Sequence, residues 1–326
     1  MKKNQIAHVI NVAEITDSNK LSYLHIAQPI TLKSMEIAKR AAAKIMDVDL
    51  YAIKHKNERV EIPEDFKWLP DIGKYAWEYI DSLTEVLPHK PLPRLVDIIN
   101  GLYENSDAEF FVYSNLDIGV YPNFYIYINN LINGGLDAFC INRRTLPKEF
   151  NGILIDETNF ELCYLLNGEL HHGVDCFVFR REIVPLIILK NVFIGYPPVG
   201  KVLRSQIEMN SKNFNMQLYS RVTFHLGNDL VWKNKTNPYW IANEQEALGL
   251  YQKQIRKFSS RLKKYKYLLA QRLLKEWNNL FKPENYLLLL LLLYQRPVFF
   301  ALFLLLNCGE GRRCETMACL LITINH

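Results

Sequence analysis

The chain has 326 residues, 49% of them hydrophobic and 12% aromatic, enough apolar material for one large or two modest cores and too much for a disordered chain. Its formal net charge of +5 is uneven: residues 247–275 hold nine Lys and Arg and no Asp or Glu, so the remainder is slightly acidic. That balance, with no base-reading or zinc-finger pattern, argues against a nucleic-acid partner.

In chain order, Ile6 to Val12 reads as a first strand and is followed by a polar loop through Asp17, Ser18 and Asn19. Thr31 to Met46, Ala-rich with late Lys and Arg, reads as a helix, and Val48 to Ile53 as a second strand. Residues 55–92 carry the breakers Pro63, Pro70, Pro88 and Pro91, with a helix expected near 72–86. Pro93 to Tyr103 reads as a helix with Pro in its first turn. Phe110 to Ser114 is an aromatic, β-branched run that ends abruptly in Asn115-Leu-Asp117, the pattern of a buried strand delivering a carboxylate to the sheet edge.

Asn123 to Asn133 reads as a helix closed by Gly134-Gly135. Leu136 to Ile141 reads as a strand ending in Asn142-Arg143-Arg144. Gly173 to Arg181 is a strand flanked by charge, Pro198 to Asn210 a helix, and Gln217 to Phe224 a strand ending at His225. Strands alternating with helices up to about residue 235 predict a mostly parallel sheet covered by helices.

Gly-rich phosphate loops and the Gly-x-Ser-x-Gly elbow are absent, which weakens dehydrogenase, P-loop and hydrolase readings. The six cysteines, at 140, 163, 176, 308, 314 and 319, show no zinc spacing; the first three lie in or beside apolar runs and point to a reducing, cytoplasmic setting. No long apolar stretch of the kind a signal peptide needs follows Met1-Lys-Lys-Asn, so no signal peptide is expected.

A ligand at the sheet edge must then be held by strand-end groups: Asp117, Asp175, His225 and Asp229. This arrangement resembles the GT-A glycosyltransferase fold over roughly residues 6–235. Tyr113-Ser-Asn115-Leu-Asp117-Ile looks like an Asn-x-Asp-Ile variant of that family's Asp-x-Asp motif. Gly173-Val-Asp175-Cys-Phe-Val-Phe-Arg180 looks like a segment of bacterial glycosyltransferase-like proteins, and Thr223-Phe-His225 takes the place of the late metal-binding His.

The resemblance implies a nucleotide-sugar donor and a divalent cation, Mn²⁺ or Mg²⁺, bound by Asp117, with His225 as a further ligand or a contact to the diphosphate. It implies Asp175 as the base that takes the acceptor hydroxyl's proton in an inverting reaction. Asn115 would contribute only neutral hydrogen bonds, and Arg143, Arg144, Arg180 and Arg181 are candidates for phosphate contacts. Tyr23, Gln28 and Asp17 stand where a nucleotide base would be framed.

Asn115 departs from the family pattern by removing one charge, which leaves a metal-independent enzyme or an inactive relative open. Each residue also has a plainer reading. Asp117 would cap the helix that follows, Asp175 would face solvent at a strand start, His225 would bond to backbone, and the arginines would be solvated. His171-His172, as neighbours, point to opposite faces and read as loop residues near the site.

Beyond the α/β region (1–240), residues 241–285 are read as a basic helical region and 286–326 as an apolar segment with an unassigned tail. Leu248, Tyr251, Ile255, Phe258, Leu262, Tyr265 and Leu269 form one stripe amid basic residues, which suits a helix lying on an anionic membrane face. Residues 286–306 are long enough to span a bilayer but carry Arg296 and Pro297 in the middle. Together these features predict a glycosyltransferase at the inner membrane face, acting on a lipid-linked or polysaccharide acceptor. The alternatives are a non-catalytic nucleotide- or glycan-binding relative and a membrane-associated interaction scaffold.

Overall fold

The computed structural model describes residues 3–16, 23–227 and 234–257. A nine-stranded sheet forms the centre. Its strands are β1 (Asn4–Asn11), β2 (Met46–Ile53), β3 (Phe66–Trp68), β4 (Phe110–Ser114), β5 (Gly119–Val120), β6 (Ala138–Leu146), β9 (Glu169–Arg180), β10 (Phe214–Gln217) and β11 (Thr223–Leu226); β7 (Glu149–Phe150) and β8 (Ile153–Leu154) form a separate hairpin. The order is β3-β2-β1-β4-β9-β6-β11-β5, with β10 also pairing to β6. Five pairings are parallel; β9 is antiparallel to both β4 and β6, and β11 to β5. This is the mostly parallel, helix-flanked α/β fold expected from the sequence.

Helices α1 (Leu24–Ala42), α2 (Leu95–Asn105), α3 (Phe124–Asn133), α4 (Val199–Asn210) and α5 (Pro238–Lys257) cover the sheet. Both faces are therefore buried, which is why β1 and β4 read as unbroken apolar runs. Residues alternate between two cores. Ile6, Ile10, Phe110 and Val112 meet Leu32 and Met35 of α1 and Ile128 of α3. Ala7, Val9, Phe111 and Tyr113 meet Ile98 and Leu102 of α2 and Leu203 and Ile207 of α4.

Several boundaries differ from the sequence reading. The helix expected near 72–86 is two single 3₁₀ turns, Ala76–Glu78 and Asp81–Leu83; three-residue turns suffice where Ala76, Ile80 and Leu83 anchor the segment in a local cluster. The strand expected over 217–224 is two strands, β10 and β11, both parallel to β6 at different heights. β6 continues through Asn142, Arg143 and Arg144 instead of ending before them. Polar residues persist there because this end of the strand borders the site rather than the core.

The first compact unit runs to Lys257, so the boundary expected at 240 falls inside α5. That helix buries Tyr239, Ala242, Ala247 and Leu250, and Tyr251 of the amphipathic stripe packs on the protein core. Residues 258–326, with the rest of the stripe and the 286–306 run, lie outside the described residues. Among the described residues no helix is long and apolar enough to cross a membrane.

Candidate active site

The sheet order reverses at β1, whose neighbours are β2 on one side and β4 on the other. The carboxyl ends of β1 and β4 flank the crevice this creates, the usual ligand position in open α/β sheets. On the β1 side, the Gln28 side chain clasps the following loop: its Oε1 accepts from Ala13 N at 2.9 Å and its Nε2 donates to Ala13 O at 3.1 Å. Asn11 Nδ2 donates to Ile53 O at 3.0 Å, tying that loop to β2. Tyr23 donates to Ile155 O at 3.2 Å; Asp17 and Asp229 lie outside the described residues.

On the β4 side, two charged pairs come together. Asp117 Oδ2 lies 3.1 Å from His225 Nε2, and His225 Nδ1–H donates to Gly227 O at 2.8 Å. Burial opposes the charge on both groups. Their mutual hydrogen bond and opposite charges outweigh it, holding the Asp117 carboxyl below the usual carboxylate range and the His225 imidazole above its ordinary value. The helix-cap reading of Asp117 does not hold, because β5 intervenes and α3 is preceded by Asn123.

Asp175 forms the second pair. Its Oδ2 accepts from Arg143 Nη1 at 2.7 Å and its Oδ1 from Asn115 Nδ2 at 3.2 Å. A β-bulge explains its position: Ile141 pairs with Cys176 but Asn142 pairs with Val174, so Asp175 is the extra residue of β9. Bulges re-aim a side chain without breaking the sheet. Asp175 therefore sits mid-strand in the site, not exposed at a strand start. Beside it lies a cleft of about 30 Å³ walled by Tyr113, Val174, Phe177, Val199 and Leu203.

Asn115, Asp117, Arg143, Asp175 and His225 are thus assembled at one sheet edge. Arg144, next in β6, is near Tyr121 rather than Asp175, as alternation along a strand requires. Arg180 is not at this site. It pairs with Phe110 at the start of β4, contacts Glu109, and lies five residues, about 17 Å of strand, from Asp175. Its neighbour Arg181 binds Ser106 O and Tyr103 O. The antiparallel direction of β9 is the cause: its Asp175 end reaches the site and its Arg180 end the opposite edge.

The structure also fixes two further histidines: His171, which the sequence reading puts in a loop near the site, and His8, which it does not single out. His171 lies in β9 beside Arg143, with Nε2 3.5 Å from Arg143 Nη2. Burial, then the Arg143 charge, lowers its pKa from the ordinary value. His8 is fully buried in β1, between Tyr125 Oη at 2.8 Å and Ser114 Oγ at 2.9 Å. Burial pushes its pKa down to about 3, so it is neutral at pH 7. A lone His within the apolar 6–12 run was the available signal for it.

Does the site suit a divalent cation? Among the described residues no cluster of three His, Cys, Asp or Glu side chains forms. Asp117 Oδ1, however, is buried and has no hydrogen-bond partner, next to an imidazole whose Nδ1 is already fixed by backbone. One carboxylate and one oriented His, once its Nε2 proton is released, fit a cation that completes its shell with substrate phosphates and water.

No family model matches the chain, and no curated protein matches it in sequence. Among solved structures it is similar to S. aureus TarS residues 1–349 in complex with UDP-GlcNAc, with 7% identity and a TM-score of 0.41 over 72% of this chain and 61% of that one. The same TarS fragment in complex with UDP gives 9% identity and a TM-score of 0.40, over 69% and 61%. A putative glucose-1-phosphate thymidylyltransferase from Bacillus anthracis in complex with a sucrose gives 10% identity and a TM-score of 0.36, over 65% and 87%. The chain spans about six tenths of the TarS fragment.

Proposed function

We propose that this chain is a GT-A-type glycosyltransferase that moves a sugar from a nucleotide-sugar to an acceptor hydroxyl. The observation that carries the reading is the convergence of Asn115, Asp117, Arg143, Asp175 and His225 where the carboxyl ends of β4, β6 and β11 meet the bulge of the antiparallel β9. The donor diphosphate would lie at this edge, with the nucleotide over the β1–β4 crevice and the loop clasped by Gln28.

Asp117 and His225 would hold Mn²⁺ or Mg²⁺, which when bound neutralises the diphosphate leaving group. Arg143 adds a fixed positive charge to the same region. Asp175 would accept the proton of the attacking hydroxyl. Its bonds to Arg143 and Asn115 hold the carboxylate in place and leave each oxygen a further lone pair for that proton. The basic residues of 247–275 would keep the enzyme at an anionic cytosolic membrane face, where the acceptor would be lipid-linked or a growing polysaccharide.

A second reading is favoured by one feature. Both Asp175 oxygens are engaged within the protein, and the metal motif begins with Asn115. A relative that binds the nucleotide-sugar without transferring it would look the same. Release of nucleoside diphosphate from a panel of nucleotide-sugars with Mn²⁺ separates the two. Turnover abolished by Asp175→Asn supports the transferase; binding without turnover supports the second reading; neither binding nor turnover overturns both.

A further inference from the structure

Gly200 sits in the first turn of α4, although glycine is a poor helix former. What it faces explains its place. A Cβ there would stand 3.1 Å from Val174 O and 3.5 Å from Phe177 Cζ. The missing side chain lets α4 close on β9 beside the bulge that aims Asp175. The approach is held from behind by α5. Its fully buried Asn243 donates from Nδ2 to Phe193 O at 3.0 Å and to Tyr196 O at 2.7 Å, and accepts from Phe193 N at 3.0 Å. Tyr196 O also accepts from Val199 N, at the start of α4, at 3.4 Å.

The cleft left between α4 and β9 measures about 30 Å³. A water-sized atom takes up about 10–15 Å³ of such space, so there is room for roughly two. One end is polar. Asn115 Oδ1 accepts from Tyr113 Oη at 3.3 Å, and Asn115 Nδ2 donates to Asp175 Oδ1 at 3.2 Å. The Tyr113 proton is thus committed, and Asp175 supplies the charged acceptor at this end. The other walls are apolar, formed by Val174, Phe177, Val199 and Leu203, with Phe177 and Leu203 almost wholly buried. A guest must therefore bring one O–H donor to the carboxylate and one small carbon to the apolar wall. A CH₂–OH group is that pair of atoms. A secondary ring hydroxyl brings a carbon that carries two more carbons, and an anionic group would meet a carboxylate and hydrocarbon.

We propose that this cleft is the acceptor subsite and takes a hydroxymethyl group, so that the acceptor is a primary alcohol, with Gly200 and Val199 setting the size limit. The proposal deepens the transferase reading above and rests on it for the reaction. The primary hydroxyl oxygen forms its bond to the anomeric carbon of the donor. The bond from that carbon to the diphosphate oxygen breaks, and its electron pair leaves with the diphosphate. The hydroxyl proton passes to Asp175.

The test uses the full chain with Mn²⁺ and the nucleotide-sugar panel, and offers methyl hexosides and their 6-deoxy counterparts as acceptors. Product should form at the 6-hydroxyl, and the 6-deoxy compounds should give at least tenfold less. Val199→Ala widens the wall and should shrink that preference about tenfold, the scale of a small change in an apolar pocket. Gly200→Ala puts a methyl into a space for two atoms and should cut transfer to the 6-hydroxyl at least tenfold while nucleotide affinity is unchanged. Saturation-transfer NMR of the hexosides without donor reads the same subsite without turnover: the C6 protons should receive the most saturation, and lose it in Gly200→Ala. Preferred transfer to a secondary hydroxyl overturns the proposal, as do donor hydrolysis alone in the presence of hexoside and saturation that does not favour C6. Should Gly200→Ala fail to fold, Val199→Ala and the deoxy pairs decide. Saturation at C6 in a chain that turns over no nucleotide-sugar would instead defeat the glycosyltransferase reading and leave the hydroxymethyl site standing.

Discussion

Arg143 Nη1 stands 2.7 Å from Asp175 Oδ2, on side chains only 11% and 17% exposed. The pair joins β6 to the bulge of β9 and fixes the one carboxylate that borders the cleft. Removing one partner of such a pair leaves a charge largely out of water, which typically costs 3–5 kcal/mol. Arg143→Ala should therefore destabilise the fold by about 3 kcal/mol in urea titration, whereas Asp175→Asn, which keeps the shape and an acceptor oxygen, should cost less.

The two substitutions part further in catalysis. With Asp175 as base, Asp175→Asn should lower kcat about 10²–10⁴-fold while nucleotide binding stays near its original strength. Steady-state kinetics beside a binding titration read the two separately. Parallel losses in binding and kcat would assign Asp175 to holding the site together.

Arg180→Ala should leave turnover and nucleotide affinity unchanged, because Arg180 lies on the far edge of the sheet with Glu109. Its ion pair is partly exposed, and its loss should cost less than about 1 kcal/mol. A marked loss of activity would contradict the antiparallel placement of β9.

Gly119 sits where an added Cβ would collide with the buried ring of Phe224. Gly119→Ala should destabilise the protein by about 1–3 kcal/mol, read by thermal or urea denaturation. Because Phe224 precedes His225, the displaced ring should also weaken divalent-metal binding.

His8 makes stability depend on acid. Its folded pKa of about 3 is below its unfolded value of about 6.5, so the unfolded chain binds the extra proton between them. Its contribution is complete above pH 6.5 and falls by about 1.4 kcal/mol per pH unit on the way down toward pH 3. Urea midpoints from pH 7 to 5 should drop more steeply for the unaltered protein than for His8→Gln. Equal slopes would mean that His8 takes up its proton in the fold as readily as in the unfolded chain.

Much of the α/β frame was legible in the sequence because β1, β4 and the main helices are long, apolar and punctuated by Pro, Gly and Asn. The Asn115-Leu-Asp117 strand end was legible too; that His225, 108 residues distant, hydrogen-bonds Asp117 shows only in the structure. What was not legible depends on pairing direction and local irregularity. Arg180 and Asp175 occupy one strand, and only the antiparallel course of β9 says which end reaches the site. The bulge that aims Asp175 leaves no composition signal. His171 read as a loop residue because the strand was expected to start at Gly173, whereas β9 begins at Glu169; the packing of the imidazole over Gly173 shows only in three dimensions.

The most direct measurement is the melting temperature of the full chain with nucleoside diphosphates and nucleotide-sugars, each with and without Mn²⁺, for the unaltered protein and Asp117→Ala. A ligand well above its Kd raises the melting temperature by mass action. The account predicts a shift with one nucleotide class that grows with Mn²⁺ and is lost in Asp117→Ala. A flat panel from a folded protein would contradict it.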